Sequence, residues 1–508
     1  MCVRVLLYNP LRMIRPEIFL FTILVLTFVL PRYYNNFSYA ATTDVRTSTI
    51  VQHSEGPTIN DPNLKVEVVF RGGLKFPTSM AFLGPNDILV LEKNNGTVRR
   101  IVNGVMSSKP LLDVNVATLN DRGMLGIAVA KNNNNNGSAR YVFLYFTESQ
   151  TKDGEDVSKD INKTNGLREA KEPVGDRLYR YELVDNKLVN PKLLLDIRAK
   201  AGTLDLALHN GGKVLIGPDQ NVYLVIGDIG GHKSQTENFF NKVSLNGTSV
   251  IYRISQNGKA VGNILGDKEP INKFYAYGIR NSFGIDFDPI TKKLWDTENG
   301  PGYGDEINLV NPGFNSGWSK VQGIWKPASN SYTAENITLQ PDNLVDFDGK
   351  GKYNPPEFTW YHPVAPTALK FLNSDKLGKQ YQNDMFVGDF NNGNLYHFKL
   401  NQQRTGLVLN GPLEDRVANN TNELEKGKTI FGQGFGGIMD VQVGPDDGYL
   451  YILSLNKSIP GGSDCDPKFP NVPCIPYNST VDGAIYRIVP ATIHNPNIKD
   501  IVKNSSSM

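Results

Sequence analysis

The sequence predicts an all-β fold, a six-bladed β-propeller with four-stranded blades and long loops between strands. Short apolar runs with a period of two or of continuous Val, Ile and Leu recur along the chain, bounded by Pro, Asp, Asn and Gly turns. No stretch keeps a helical period over several turns. One unit built from these runs recurs six times, and repeated four-stranded units are how propellers are built.

Each repeat contains an apolar strand, a Pro-Asp or Asn-Asp turn, a second strand rich in Val, Ile, Leu and Tyr, and an exit strand. The six copies contain MAFLGPNDILVLEKNNGTVRRIV, LGIAVAKNNNNNGSARYVFLYFTES, GKVLIGPDQNVYLVIGD, FGIDFDPITKKLWDTENG, NDMFVGDF and MDVQVGPDDGYLYILSL. The copies are longer than a minimal blade of about 45 residues, so long loops are expected, above all at 150–173 and 320–361. An apolar run at 65–70 is expected to pair with the last blade and close the ring.

The chain divides into four predicted parts. These are a secretory signal peptide at 1–40, a linker at 41–63, the propeller at 64–490 and a disordered tail at 491–508. Arg4, Arg12 and Arg15 precede an apolar run at 18–30, and small residues follow in FSYAA, which is the order of a signal peptide. The run is short for a membrane span of about 20 residues, and an uncleaved anchor is the alternative. A secreted or otherwise extracytoplasmic protein is expected.

Charge and cysteine content agree with export. Removing residues 1–40 takes away four arginines and one glutamate, so the formal charge of the remaining chain changes from +2 to −1. A near-neutral chain lacks the basic surface that binds nucleic acid, and membrane contact is expected only through the N-terminal segment. Cys465 and Cys474 lie close together in an exported chain and are predicted to form a local disulfide, with a metal pair as the less favoured alternative.

Three polar segments interrupt the strand pattern. The first begins at His209 in HNGG, the second contains Arg280 and Asn281 in GIRN, and the third is ENGPGYGDEIN at 298–308. A lone histidine beside a turn is either a hydrogen-bonding group or a general base. The Arg-Asn pair either caps a loop or binds an anion.

The third segment is either a long turn or a calcium site. Asp305, Glu306 and the backbone carbonyls of Gly300 and Pro301 are the hard oxygen ligands that Ca²⁺ prefers. Their spacing does not match an EF-hand, so the residues alone leave both interpretations open.

Together these segments resemble the soluble glucose/sorbosone dehydrogenase family, six-bladed propellers related to PQQ-dependent soluble glucose dehydrogenase. The resemblance is carried by DRGMLGIAV, HNGGKVLIGPDQNVYLVIGD, YAYGIRNSFGIDFDP, ENGPGYGDEINLV and VAPTALKF, in this order, and covers roughly 66–490.

The resemblance implies an enzyme that oxidises a sugar or related alcohol by hydride transfer to PQQ, with Ca²⁺ and an external electron acceptor. It implies that His209 is the general base and that Arg280 stabilises charge on the quinone oxygen. By the same resemblance the cofactor contacts are Arg280, Asn281 and Asn299, the substrate contact is Asp121, and the calcium site comprises Gly300, Pro301, Asp305 and Glu306.

One part of the family pattern is missing. Glucose-oxidising members hold the PQQ carboxylates with a lysine and two arginines, whereas the matching positions here are Asn391, Asn392, Gly437 and Met439. Each lost charge-assisted contact costs about 1.5–3 kcal/mol of binding. The alternative is therefore a secreted propeller that binds a carbohydrate or a protein and has lost PQQ. A third interpretation is a calcium-dependent hydrolase such as a lactonase. Such an enzyme needs metal-binding acidic residues on several blades, whereas the sequence contains one acidic segment of this kind, at 298–308.

Overall fold

The computed structural model describes residues 56–131, 140–150, 157–161, 168–170, 173–199, 207–231, 233–240, 245–329, 332–456 and 482–491. The predicted signal peptide, Cys465, Cys474 and residues 492–508 of the predicted tail lie outside these ranges. Within them, one α-helix, α1 (Thr421–Lys426), and four single 3₁₀ turns accompany the strands. The prediction of an all-β propeller is confirmed. No helix in the described ranges has the length and apolarity needed to cross a membrane.

The strands are numbered in chain order. The first thirteen are β1 (Thr58–Ile59), β2 (Leu64–Lys75), β3 (Pro77–Gly84), β4 (Asp87–Glu92), β5 (Thr97–Val102), β6 (Val105–Met106), β7 (Leu112–Asp113), β8 (Met124–Lys131), β9 (Arg140–Glu148), β10 (Val157–Ile161), β11 (Arg168–Ala170), β12 (Gly175–Val184) and β13 (Lys187–Ile197). The next twelve are β14 (Val214–Ile216), β15 (Val222–Ile226), β16 (Val250–Ile254), β17 (Phe274–Tyr277), β18 (Ser282–Phe287), β19 (Leu294–Glu298), β20 (Asp305–Val310), β21 (Phe314–Asn315), β22 (Trp325–Pro327), β23 (Ala334–Ile337), β24 (Lys352–Tyr353) and β25 (Phe358–Trp360). The last nine are β26 (Pro366–Phe371), β27 (Met385–Asp389), β28 (Leu395–Leu400), β29 (Leu407–Val408), β30 (Val417–Ala418), β31 (Ile430–Gln433), β32 (Gly437–Val443), β33 (Leu450–Leu455) and β34 (Asp482–Pro490).

Six sheets in the described residues have four or more strands, and we number them one to six in chain order. Their cores are β3-β4-β5-β6, β8-β9-β12-β13, β14-β15-β16-β17, β18-β19-β20-β25, β26-β27-β28-β31 and β32-β33-β34-β2. The first strands of neighbouring sheets contact each other, β3 with β8, β8 with β14, β18 with β26 and β26 with β32, and β32 contacts β3 again. Between sheets three and four the contact runs from β15 to β18. These first strands are the inner strands.

The first and last parts of the described chain meet in sheet six. Strand β2 pairs antiparallel with β34, from Leu64 opposite Pro490 to Lys75 opposite Asp482. This confirms the expected pairing of the 65–70 run with the last unit. The predicted linker at 41–63 is not wholly irregular, because β1 lies within it and pairs with β31. Two residues are too few to show a strand period.

The apolar core is divided into layers between neighbouring sheets. Tyr145 of sheet two and Tyr252 of sheet three belong to one layer, and Trp360 of sheet four and Phe398 of sheet five belong to another. Sheet faces that are covered on both sides explain why so many strands are continuous apolar runs. The two regions expected to be long loops, 150–173 and 320–361, contain short hairpins, β10-β11 and β22-β23.

Inner strands approach closely where two glycines meet. A Cβ placed on Gly126 of β8 would lie 1.8 Å from the carbonyl oxygen of Gly212, just before β14. A Cβ on Gly212, whose φ is +124°, would lie 2.8 Å from Cβ of Leu125. The packing of sheets two and three at this level therefore requires glycine at both positions.

Asp176 is a fully buried carboxylate that joins sheet two to the segment before β14. It accepts hydrogen bonds from Thr147 Oγ1 at 2.5 Å and from Asn210 Nδ2 at 2.8 Å. Burial raises the pKa of Asp176 to about 6, against these hydrogen bonds and the charge of Arg122. Asn210 follows His209, so this contact fixes the backbone beside the candidate base.

We expect Gly126→Ala to lower the free energy of unfolding by about 3 kcal/mol or more, because the new methyl group overlaps backbone that has no room to move. Gly84→Ala at the end of β3 is the matched control, since a Cβ there meets nothing within 4 Å. That control should change stability by no more than about 0.5 kcal/mol. Urea unfolding followed by circular dichroism measures both, and equal stabilities would contradict the close approach.

Asp176→Asn should flatten the pH dependence of stability. The folded-state pKa of Asp176 lies above its usual 3.8, so its contribution to stability falls as the pH rises from about 4 to above 6. The difference approaches about 3 kcal/mol for a shift of this size. Unfolding free energies at pH 4 and pH 7 measure it, with Asp185→Asn in the exposed β12-β13 turn as control. Identical pH profiles for wild type and Asp176→Asn would refute the assignment.

Candidate active site

A cavity of about 340 Å³ is lined by residues at or near the starts and ends of strands in several sheets. Its charged and amide lining groups are Lys93, Asn120, Asp121, Lys213, Asn281 and Asn299, and Thr78, Ser79 and Thr367 add hydroxyl groups. Phe76, Phe283 and Phe390 supply aromatic surface. Three of the predicted site residues, Asp121, Asn281 and Asn299, therefore share one wall with two lysines.

His209 lies beside this cavity with its backbone in the left-handed region, at φ +65°. Its backbone N–H donates to Asp121 Oδ2 at 2.7 Å, and its ring Nδ1 lies 2.6 Å from Asp228 Oδ1. The imidazole is 16% exposed. Because Nδ1 is held by a carboxylate, Nε2 is the ring nitrogen left to accept a proton.

Asp228 follows β15 and was not recognised from the sequence. Its other oxygen, Oδ2, accepts a hydrogen bond from Trp318 Nε1 at 2.7 Å. Burial opposes ionisation, but the charge and hydrogen bond of His209, the charge of Arg280 and the bond from Trp318 together hold the pKa of Asp228 below its usual value. An ionised carboxylate thus orients the imidazole. The available sequence signal was an acidic residue at the end of a buried strand.

Arg280 lies on the other side of Asp228. Its carbonyl oxygen accepts from the backbone N–H of Asp228 at 3.0 Å, and a guanidinium nitrogen donates to the carbonyl of Asn299 at 2.6 Å. The guanidinium carbon is 5.3 Å from the centroid of the Trp318 ring. Burial lowers the pKa of Arg280, while Asp228 and Asp305 oppose that shift. His209, Asp228, Trp318 and Arg280 form one connected group, which we call the His–Arg network.

Asn281 and Asn299 connect this network to the cavity. The backbone N–H of Asn299 donates to the carbonyl of Asn281 at 2.7 Å. The side-chain oxygens of both residues and Nε of Arg280 are buried and have no hydrogen-bond partner among the described residues. Buried polar atoms without partners are costly, so these three atoms are candidates for contact with a ligand.

His209 and Arg280 do not themselves line the cavity. The residues that follow them do, Gly211 and Gly212 after the histidine and Asn281 after the arginine. A Cβ on Gly227 would lie 2.5 Å from the carbonyl oxygens of both His209 and Arg280, so the two segments converge on this glycine. The structure therefore brings the predicted base and the predicted arginine together at the cavity edge.

Asp305 supports the loop that carries Gly300 and Pro301. Its Oδ1 accepts the backbone N–H of Gly300 at 2.7 Å, and its Oδ2 accepts those of Val364 and Ala365 at 2.7 Å each. Burial raises the pKa of Asp305 to about 6 against these bonds. Both carboxylate oxygens are thus engaged within the protein, which leaves the carbonyls of Gly300 and Pro301 as the simplest ligands for the predicted calcium ion.

Glu306 is also engaged within the protein. It accepts hydrogen bonds from Asn308 Nδ2 and Gln322 Nε2 at 2.9 Å each and from the backbone N–H of Gly323. Burial and the neighbouring Glu298 raise the pKa of Glu306 well above its usual value. The described residues contain no group of three or more His, Cys, Asp or Glu arranged to hold a metal. Calcium binding stays a prediction.

The positions matching the family's carboxylate clamp carry no cation. Asn391 donates to the carbonyl of Pro363 at 3.2 Å, and Met439 lines the cavity. The cations on the cavity wall are Lys93 and Lys213, from sheets one and three, which the sequence did not single out. In the sequence, only the position of Lys213 directly after HNGG could have pointed to a role at the site.

The chain is similar to two sugar dehydrogenases. The aldose sugar dehydrogenase YliI of Escherichia coli is 31% identical over 187 residues, 37% of this chain and 42% of that protein. Quinoprotein glucose dehydrogenase B of Acinetobacter calcoaceticus is 26% identical over 281 residues, 52% of this chain and 54% of that protein. The matched part thus spans about half or less of each enzyme.

The PQQ-bound structure of aldose sugar dehydrogenase from Streptomyces coelicolor superposes with a TM-score of 0.53 at 19% identity, over 84% of this chain and 98% of that one. At this identity the likeness shows a shared fold. Residues 74–459 match the family described as Glucose / Sorbosone dehydrogenase. Since this match covers well over half of the chain, the protein belongs to the Glucose / Sorbosone dehydrogenase family.

Proposed function

We propose that this protein is a PQQ-dependent dehydrogenase that oxidises a sugar or a related alcohol. The observation that carries the proposal is the His209–Asp228 pair, whose histidine lies two residues before the glycines of a cavity that Asn281 and Asn299 also line. Family membership and the names of the two relatives support the reaction class.

The residues present fit PQQ, a planar aromatic quinone with three carboxylates. The cavity offers aromatic faces for the rings and two ammonium groups for the carboxylates. The buried Nε of Arg280 and the side-chain oxygens of Asn281 and Asn299 lack partners among the described residues. When bound, PQQ supplies a quinone that accepts the hydride removed from the substrate carbon.

His209 performs the proton transfer in this proposal. Its Nε2 takes the proton of the substrate hydroxyl as the C–H hydride leaves, so a secondary alcohol or hemiacetal becomes a carbonyl or lactone. Asp228 keeps Nδ1 protonated and stabilises the imidazolium that forms. Asp121 holds the backbone of His209 and lies on the cavity wall, where it is also the proposed substrate contact.

Arg280 supplies fixed positive charge beside the reacting groups. Its guanidinium is buried, is held by the carbonyl of Asn299 and stacks on Trp318, so it needs no rearrangement during reaction. Gly300 and Pro301 are the proposed calcium ligands through their carbonyls, and the ion would add further positive charge in this region. An external acceptor would take up the electrons removed from the substrate.

We also propose that each of the six sheets is one blade of a six-bladed ring. The return of inner-strand contacts from β32 to β3 supports that count.

We further propose that the protein is exported, because residues 1–40 have the sequence pattern of a signal peptide. A carbohydrate- or protein-binding propeller without PQQ is the alternative, favoured by the uncharged residues at Asn391 and Asn392.

His209→Ala should abolish PQQ-dependent dye reduction with aldoses and alcohols, and Asp228→Asn should lower kcat by at least about 100-fold by releasing the imidazole from its orientation. Steady-state rates of purified protein loaded with PQQ and Ca²⁺ measure both effects. The matched control is the second buried His–Asp pair, His397 and Asp384, which lie 2.8 Å apart in sheet five. His397→Ala should retain activity, and persistent turnover of His209→Ala would remove the assigned base.

Chelation with EGTA should suppress dye reduction, and added Ca²⁺ should restore it. Asp305→Asn should raise the calcium concentration needed for half-maximal recovery by at least about tenfold, because the amide cannot accept three backbone N–H groups as an ionised carboxylate does. Calcium titration of the apoprotein, followed by activity and by thermal unfolding, tests this. Full activity in EGTA would exclude the calcium requirement.

A further inference from the structure

We infer that Lys93 and Lys213 form an anion-binding wall that holds the carboxylates of the aromatic ligand in the cavity. The two lysines come from sheets one and three, and no other Lys or Arg side chain lines the described part of the cavity. The identity of the ligand as PQQ rests on the proposed function. The wall itself rests on the placement of the two ammonium groups.

Lys93 follows β4 and is 5% exposed. Its Nζ donates to Asn94 Oδ1 at 3.1 Å and to the carbonyl of Thr118 at 3.3 Å, and it lies 5.2 Å from the centroid of the Phe76 ring. All three contacts are with groups of the surrounding wall. The contacts hold the ammonium in place at the wall.

Lys213 is 9% exposed and is paired with a buried acid. Its Nζ lies 2.5 Å from Asp440 Oδ1. The other oxygen of Asp440 accepts from Ser79 Oγ and from the backbone N–H of Met80 at 2.9 Å each, so the carboxylate is shared among several donors. An ammonium carries three N–H groups, and those not used by Asp440 can donate to a ligand.

The composition of the wall selects a planar aromatic anion over a neutral sugar. Buried ammonium groups are partly desolvated, and a carboxylate that reaches them replaces the lost water with charge-assisted hydrogen bonds. Phe76, Phe283 and Phe390 provide apolar faces for rings. The one acid on the wall, Asp121, accepts the backbone N–H of His209 with one oxygen and so is held at the base.

This wall is separate from the clamp of the glucose-oxidising relatives. Positive charge in this chain comes from the ends of sheets one and three, whereas the matching clamp positions at Asn391, Asn392 and Gly437 are uncharged. The ligand is therefore expected to place its carboxylates towards β4 and β14.

The test is equilibrium binding of PQQ to the full chain in Ca²⁺, followed by quenching of tryptophan fluorescence. Lys93→Met should weaken binding by about tenfold or more, the size of one charge-assisted hydrogen bond, and Lys93→Arg should restore most of it. For Lys213 the double variant Lys213→Met with Asp440→Asn avoids leaving a buried charge unpaired and should also weaken binding. Lys187→Met, exposed on β13, is the matched control.

A neutral ligand gives the second arm of the experiment. The trimethyl ester of PQQ keeps the rings and loses the three negative charges, so the lysine substitutions should not alter its affinity. PQQ affinity that is unchanged in Lys93→Met and in the double variant would overturn the inference and leave the proposed function standing. Thermal unfolding confirms that each variant is folded before binding is measured.

A third probe separates failure of the inference from failure of the proposed function. Benzene-1,3,5-tricarboxylate carries three carboxylates on one ring and has no quinone. Lys93-dependent binding of this compound without any binding of PQQ would sustain the anion wall and overturn the quinoprotein proposal. Failure of the wild-type protein to bind either compound at millimolar concentration would overturn both.

Discussion

The pairing of β2 with β34 is the constraint on which the rest of the structure depends. It joins residues 64–75 to residues 482–490 in one sheet, so sheet six contains both ends of the described fold. The site residues lie near the ends of inner strands in different sheets. The distances between them therefore depend on how neighbouring sheets pack against each other. Distances of 2.6–2.7 Å from His209 to Asp121 and to Asp228 join sheets two and three at the site. The hydrogen bonds between β2 and β34 in sheet six therefore support the sheets that carry the site residues as well as the fold.

The features that could be predicted from the sequence are those that depend on residues close together in the chain. Strand periods and Pro-Asp turns predict the all-β class, and polar breaks in those strands point to His209, Arg280 and Asn281. Asp228 was missed because an acid after a buried strand is usual for a turn. Lys213 was missed because its partner, Asp440, is 227 positions away. The role of Asp305 as a loop support also depends on backbone N–H groups about 60 positions along the chain. Such pairings form only when distant parts of the chain pack together, so they cannot be predicted from neighbouring residues in the sequence.

The acidic residues near Arg280 differ in the direction in which their surroundings shift their pKa values. Asp228 is held ionised by His209 and Arg280, whereas burial raises the pKa of Glu298 to about 7 even though it accepts the backbone N–H of Arg280. Asp296, on the same strand, has a pKa raised by burial and then by the charges of Glu298 and Glu306. Of these three carboxylates, only Asp228, which contacts the imidazole, has a lowered pKa. This difference in environment separates Asp228, the partner of the proposed base, from carboxylates that make other contacts.

The Lys213–Asp440 pair connects inner strands that are three steps apart in the order β3, β8, β14, β18, β26 and β32, which places its two residues on opposite sides of the ring. This side-chain bridge ties sheet three to sheet six directly, so the two sheets are held together without the backbone pairing that joins strands within one sheet.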